Sequence, residues 1–438
     1  MYKLILTSLM LLSSTLSSLP PPENPLATVQ NAALDDLSIR IYNQEKFQSK
    51  RNKARNLYKL FNGELLTDRE KELLDQTVDE LVFSTIQKAA NNDPYFPKVY
   101  WVDSTPRKWF NLDVPGGRYS YDNPDCIYRT IPISGSYSYE IQGHRYNPGP
   151  TDIVFSLIKD VNTQRTVTYL KGSDIVLDEK GDYTLTVDPY PANGRVNHIQ
   201  STSDAVQLFI RNNLGDWNTE TPDYLTVSRV DYSPRPPKRT DQDIIDETYD
   251  LLDGAIFAYV FGAFEVKTDW NCENTLPQPS QSETLGTLVT QAASFGHFEI
   301  DADQVLVADV NLGAATYFVF PITGPWTITL DPATHQCSLN NKQAVPNTDG
   351  TYTFVISHED PGVYNWLDTA GLLNGTMQVR WQNVSIKTDP VKPSVNMRVV
   401  DRKDLAKALP AGTLYVTPEE RKVILAERKA AHIKRTQE

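Results

Sequence analysis

Three groups of residues in this 438-residue sequence combine reactive types with suggestive spacing. Asp122 and Asp125 flank Asn123-Pro124, and Glu140 follows on an alternating segment. Paired carboxylates in unlike environments separate their pKa values, so that one donates a proton while the other stays charged; the same oxygens would also suit Ca²⁺. Turn formation alone equally accounts for Asp-Asn-Pro-Asp. In the second group His297, Glu299 and Asp301 alternate with Phe298 and Ile300, which puts the three polar side chains on one face of a strand. With His335 or His358 downstream they read as a His-x-Glu…His facial triad for non-haem iron, His297, Glu299 and His358 being the metal candidates. No Arg positioned to hold a cosubstrate follows soon after either distal His, and a solvent-exposed strand face explains the same pattern. The third group, Asn365, Trp366, Asp368, Arg380 and Trp381, mixes aromatic and charged side chains where turn meets strand. Ring faces that stack and charged groups that fix hydroxyls suit a glycan or another small polar ligand. The competing reading is a structural corner, with the indoles in the core and Asp368 capping a turn.

Other chemistries lose their usual support. The sequence has no Gly-x-Ser-x-Gly elbow, no phosphate-cradling Gly-rich loop, no His-Glu-x-x-His and no Cys-x-x-Cys. The net charge of −13 argues against nucleic acid, whose affinity comes from Lys and Arg releasing counterions. No cofactor is indicated. Met397–Glu438 is the basic exception, ten Lys or Arg against six Asp or Glu. Its terminal helix reads as a solvated, partly frayed face, although a basic tail could also fold back on an acidic body.

The elements that must position these residues read as mainly β with helical additions, an α+β chain carrying two β-sandwiches. Residues 1–19 carry one cation, a short apolar run and small residues before Pro20-Pro21-Pro22, the pattern of a signal peptide and hence of secretion. No stretch is long and apolar enough to span a bilayer. Residues 20–95 read as helical, with Thr67 and Glu70 as a capping box. Alternation over 96–235 gives a first β domain, including Tyr128 to Ile141 and Tyr183 to Val187. Residues 236–295 form a helical linker, capped by Thr240 and with a weaker second helix over Glu283 to Ala293. Residues 296–400 give a second β domain, with strands at Tyr317 to Pro321, Trp326 to Leu330, Tyr352 to Ser357 and Met377 to Trp381. Residues 401–438 are the basic tail, its helix opened by Thr417-Pro418.

An internal echo points to duplication: Phe209-Ile210-Arg211 precedes Arg229, and Gln378-Val379-Arg380 precedes Arg398, at the same spacing of eighteen. Strands of similar length that happen to end alike give the same match. Cys126, Cys272 and Cys337 allow at most one disulfide. Asn374 and Asn383 lie in glycosylation sequons.

Tyr121-Asp122-Asn123-Pro124-Asp125, Tyr128-Arg129, Ile141-Gln142-Gly143 and Asp216-Trp217 resemble the first part of the domain-of-unknown-function 1214 proteins, often found with the related 1254 domain. The stronger match is Asn340-Asn341, Asp360-Pro361-Gly362, Asn365-Trp366-Leu367-Asp368-Thr369-Ala370-Gly371, Gly375 and Arg380-Trp381, so the resemblance covers about Val99 to Trp381. It implies jelly-roll-like β domains, likened to glycan-releasing amidases and viral coat sandwiches, and no established activity. Members carry a His directly after the Gly of the Asn-Trp-Leu-Asp segment; this sequence has Leu372, which removes any chemistry that His performs. The expectation is a secreted, glycan- or small-ligand-binding protein that forms homo-oligomers, with a hydrolase, an iron oxygenase and a ligand-free assembly protein as alternatives.

Overall fold

The computed structural model describes residues 21–62, 66–231, 234–268, 272–281 and 290–438. The expected signal peptide lies outside them, as does 283–289 of the expected second linker helix. What remains of that helix is strand, because Gln291 to Ala293 open β12 (Gln291–Glu299).

Helices α1 (Val29–Tyr42), α2 (Gln48–Asn62) and α3 (Asp68–Ala90) precede the sheets, and α4 (Asp241–Thr268) lies between them. The capping box at Thr67 and Glu70 forms as the sequence requires, satisfying two donors of the first turn of α3. Thr240 caps α4 in the same way through Asp243. Leu74, Val78, Leu81 and Val82 of α3 meet Leu252, Ile256 and Val260 of α4 in one core cluster. Trp326 joins that cluster, edge-on to Tyr58 and donating to the Glu70 carbonyl. Trp326 to Leu330 is therefore a loop rather than the expected strand, with Thr327 at φ +65° turning the chain so that Trp326 leaves the sheet for the helices.

After β1 (Tyr100–Val102) and the β2–β3 ribbon (Arg107–Trp109, Leu112–Val114), two jelly-roll-like sandwiches follow. The first comprises β4 (Cys126–Pro132), β5 (Tyr139–His144), β6 (Asp152–Ile158), β7 (Thr166–Lys171), β8 (Asp182–Asp188), β9 (His198–Gln200), β10 (Gln207–Asn213) and β11 (Tyr224–Arg229). The second comprises β12, β13 (Gln304–Asn311), β14 (Tyr317–Thr323), β15 (Ser338–Asn340), β16 (Tyr352–Ser357), β17 (Trp366–Asp368), β18 (Asn374–Gln382) and β19 (Ser394–Asp401). The two share one topology. Sheet order β4-β10-β6-β7 repeats as β12-β18-β14-β15, and β11-β5-β8-β9 repeats as β19-β13-β16-β17. A parallel pair falls at the same place in each, β8 with β9 and β16 with β17. The Arg211 and Arg380 echo thus sits on equivalent central strands, which supports a duplicated unit.

Period-two alternation fixes what each strand shows to either side. Met377, Val379 and Trp381 of β18 enter the second core, so Gln378, Arg380 and Gln382 face outward. Leu208 and Ile210 of β10 enter the first core, so Phe209 and Arg211 face outward. These two outer faces look onto a common space between the sandwiches.

The tail corrects another expectation. Helix α5 (Pro418–Ile433) opens on the expected Thr417 and Pro418, yet it is packed down rather than solvated, with Arg421, Arg428 and Ala431 buried. Arg421 lies over the Trp366 ring and binds Asp360; Arg428 lies over the Trp217 ring, 4.1 Å from its centroid; Arg435 also faces Trp217 and donates to the Pro124 carbonyl. Three arginines seven residues apart thus run one face of the tail along both sandwiches. Among the described residues no helix is long and apolar enough to cross a membrane.

Candidate functional site

The three sets of sequence candidates are largely taken apart by the fold. Asp122 is buried and accepts from the backbone N–H and hydroxyl of Thr329. Asp125, fully buried, accepts from Trp217 Nε1 (2.9 Å), Tyr317 OH (2.6 Å) and Asn340 Nδ2 (2.7 Å), tying the first sandwich to the second. Glu140 stands on the opposite, outer sheet of the first sandwich, between Ser228 and Thr186. The three carboxylates therefore form no common cleft. His297, Glu299 and His358 fare similarly: among the described residues no group of three or more His, Cys, Asp or Glu side chains could hold a metal ion. His335 instead bonds Asp368, Nδ1 to Oδ2 at 2.7 Å, and this partner raises its pKa against the effect of burial.

The aromatic cluster also disperses. Trp381 fills the second core and donates to the Asn311 carbonyl, while Trp366 donates to the Ser357 carbonyl beneath Arg421. Asn365 bridges Val345 and Thr353 backbone groups, and Asp368 accepts from the Ala370 N–H. Neighbours in sequence on a strand point to opposite sides, so Arg380 parts from Trp381. The sequon amides are engaged, Asn374 with Glu70 and Asn383 with Asp152. Cys126, Cys272 and Cys337 are buried and form no disulfide.

Arg380 leads instead to a cavity of about 130 Å³ between the sandwiches, roofed by Ala258 and Tyr259 of α4. Arg211, Tyr128 and Asn213 line it from the first sandwich; Gln291, Phe295 and Gln382 line it from the second. The remaining wall is the segment Tyr119-Ser120-Tyr121 with Asp103 and the loop Asn162-Thr163-Gln164.

That wall is held from behind. Arg118 forms a buried, bidentate pair with Glu80 and donates to the Thr329 carbonyl at 2.7 Å, anchoring the residue before Tyr119. Tyr119 stacks on Tyr259 with centroids 5.0 Å apart, and Lys88 lies over both rings while donating to Tyr259 OH at 2.6 Å. Gln164 donates to Tyr119 OH and accepts from Arg211 Nη2 at 3.0 Å. The Tyr121 carbonyl accepts from both Gln378 and Arg380. Four residues of the lining, Asp103, Ser120, Tyr121 and Gln164, hold positive φ without being glycine. Such backbone costs of order 1–3 kcal/mol each and tends to gather where geometry serves a ligand.

Polar capacity is left over in this cavity. Arg380 Nε, Asp103 Oδ1 and Gln382 Oε1 are buried and bond to nothing, although Gln382 Nε2 binds Gln291 and Asp103 accepts from the Tyr119 backbone. An unpaired buried polar atom costs about 1–3 kcal/mol, so each has capacity for a further hydrogen bond inside the cavity. Burial, reinforced by Asp122, pushes the Asp103 carboxyl well above the usual range. Burial pushes Lys88 down to about 7 against the pull of Asp103 and Asp160.

No family model matches the chain, and no curated protein does. Solved structures do. A crystal structure of an uncharacterized protein from Burkholderia cenocepacia superimposes with a TM-score of 0.68 at 20% identity, over 82% of this chain and 96% of that one. A Vibrio parahaemolyticus protein gives a TM-score of 0.38 at 10% identity, over 64% and 90%. The first likeness extends to nearly the whole of its counterpart and shows that the fold recurs.

Of the cavity lining, only Arg380 was among the candidate site residues read from the sequence. Asp103, Tyr119, Arg211 and Tyr259 were missed, being scattered over some 150 residues of loop, strand and helix. A signal for Arg211 was present: the echo that pairs it with Arg380, combined with strand parity, puts both on outward faces.

Proposed function

We propose that this protein binds a small polar ligand in the cavity between its two sandwiches, not at the Trp366 and Trp381 corner. The observation that carries the reading is the set of buried, unpartnered polar atoms, Arg380 Nε, Asp103 Oδ1 and Gln382 Oε1, around one aromatic-walled space. Binding is favoured over two-carboxylate hydrolysis because Asp103 is the sole Asp or Glu in the described lining, while Asp122 and Asp125 are occupied in holding the sandwiches together. The residues around Asp122 and Asn365 also support kinship with the domain-of-unknown-function 1214 proteins, and segment 1–19 supports secretion.

The test is a thermal-shift screen of monosaccharides and small organic acids, each as charged and neutral members, against the wild type and Ala258→Trp. Ala258 sits on the roof, and an indole there occupies the space. Shifts present in the wild type and lost in the folded variant support the site; shifts retained in Ala258→Trp refute it.

A further inference from the structure

A recess of about 380 Å³ lies where the end of α3 meets the segment leading into α4, and it shares no lining residue with the cavity between the sandwiches. Tyr95, Phe96 and Lys98 form one side of it, the edge strand β11 another, and the segment Pro234-Arg235-Pro236-Pro237-Lys238-Arg239 the third. Arg239 pins that segment, donating to the Ala89 carbonyl at 2.9 Å and pairing with Glu247. Three prolines fix φ around Arg235 and Lys238, so both cations are carried on stiff backbone. They reach the same ring: Arg235 Cζ stands 5.4 Å and Lys238 Nζ 5.6 Å from the Phe96 centroid. Half-buried Lys98 lies close enough to feel Lys238, since burial and then this like charge lower its pKa against the pull of Asp93.

The carboxylates around this recess are engaged elsewhere. Arg229 pairs with Asp231 and Arg239 with Glu247, while at the head of α4 Asp241 binds Arg40, Asp243 caps Thr240 and Asp246 binds Lys46. Among the described residues no carboxylate forms an ion pair with Lys98, Arg235 or Lys238, and Asp93 is the sole Asp or Glu of the described lining. Residues 232 and 233, which precede the segment and lie outside the described ones, are Tyr and Ser and carry no charge. Setting Asp93 against Lys98 leaves Arg235 and Lys238 as a local positive excess on a chain whose net charge is −13. An aromatic face offsets only part of the repulsion among cations gathered on it, and an anion between them offsets the rest.

Three separate cations can use more acceptors than the two oxygens of a carboxylate. A phosphate or sulfate monoester presents three, and lysine binds such groups as a point charge. The volume falls within the roughly 300–1,000 Å³ of small-molecule sites, which leaves room for an organic body the size of one sugar. We infer that this recess is a second binding site, separate from the cavity, for the phosphate or sulfate monoester of a sugar-sized molecule, its tetrahedral oxyanion held among Lys98, Arg235 and Lys238.

Calorimetric titration of the full chain with glucose 6-phosphate, glucose 6-sulfate and glucose tests this. At least one ester should bind where glucose does not. Tighter binding of the phosphate marks a site built for a dianion, and equal binding a site that serves either ester. Arg235→Gln and Lys238→Gln, both at exposed positions, should each weaken the ester about 5-fold, and half-buried Lys98→Gln about 10-fold. Added salt should weaken it further. Ala258→Trp, which fills the other cavity, should leave ester binding unchanged; its loss there would move the ligand to that cavity and overturn this site. No binding of either ester at millimolar concentration also overturns it, leaving the cations as fastenings of the segment to Phe96. Oligoglutamate that binds where both esters fail would replace the ester with an acidic peptide.

Discussion

Asp125→Asn tests whether one buried carboxylate fastens the two sandwiches. Its two oxygens accept three donors, Trp217 Nε1 from the first sandwich and Tyr317 OH and Asn340 Nδ2 from the second. Asparagine has the same shape and a single acceptor oxygen. Placed where Oδ2 now lies, that oxygen keeps Tyr317 and Asn340 and turns its NH₂ against the Trp217 N–H. One charge-assisted bond is lost, worth about 1.5–3 kcal/mol, and two donors then face each other without an acceptor, at about 1–3 kcal/mol. Burial of the charge works the other way, since it holds the Asp125 pKa above its ordinary value, and losing that charge returns part of the cost. The net expectation is a loss of about 3 kcal/mol. Urea unfolding followed by tryptophan fluorescence reads it, with Trp217 at the joint as the natural reporter. A loss below about 1 kcal/mol at unchanged m-value, or a gain, would refute the fastening role and mean that desolvation of the carboxylate outweighs its three partners.

Lys88→Met should stabilise the protein at pH 6 and flatten its pH dependence. Burial holds the folded Lys88 near 7, below its unfolded value, so the unfolded chain binds the extra proton between those limits and wild-type stability rises with pH from about 7 toward 10; thermal melts across that range would show the slope vanish. The His335–Asp368 pair has the opposite sign. Its raised histidine pKa stabilises fully below the unfolded value of about 6.5 and is lost as pH climbs through the folded value, so His335→Gln should matter at pH 5.5 and little at pH 8.5, as paired denaturation curves would show. Arg428→Met removes the cation over Trp217 and the bonds to the Pro332 carbonyl and Ser338 hydroxyl, for about 2–3 kcal/mol. Faster hydrogen exchange over 418–433 would mark the tail's release, and unchanged exchange would contradict the packing assigned to it.

Local chemistry was legible in the sequence wherever a few neighbouring residues decide the outcome. The capping boxes at Thr67 and Thr417 and the strands at Tyr183, Tyr317, Tyr352 and Met377 form as their spacing requires, because a first-turn donor or a pleat depends on residues one to four apart. The mainly sandwich-based α+β organisation followed from that alternation. Trp326 shows where local reading ends: its segment alternates acceptably for a strand, yet a large indole finds a better home against Tyr58 and the Glu70 carbonyl, the latter 256 residues away along the chain.

The candidate site was decided almost wholly by tertiary structure. Asp122 and Asp125 carried the right chemistry in sequence, and the fold spent them on holding its parts together. Trp366 and Trp381 looked like a ligand face, but they lie on different sheets, Trp381 filling the second core and Trp366 lying beneath Arg421 of the tail. The tail's arginines, seven apart, showed a charged helix but not the tryptophans beneath it. Sequence alone determined most of the elements, the acidic charge and the repeated arginine. Only the meeting of two sandwiches determined that Arg211 and Arg380 share one cavity, since residues 169 positions apart become neighbours through packing of distant surfaces, which no short-range pattern records.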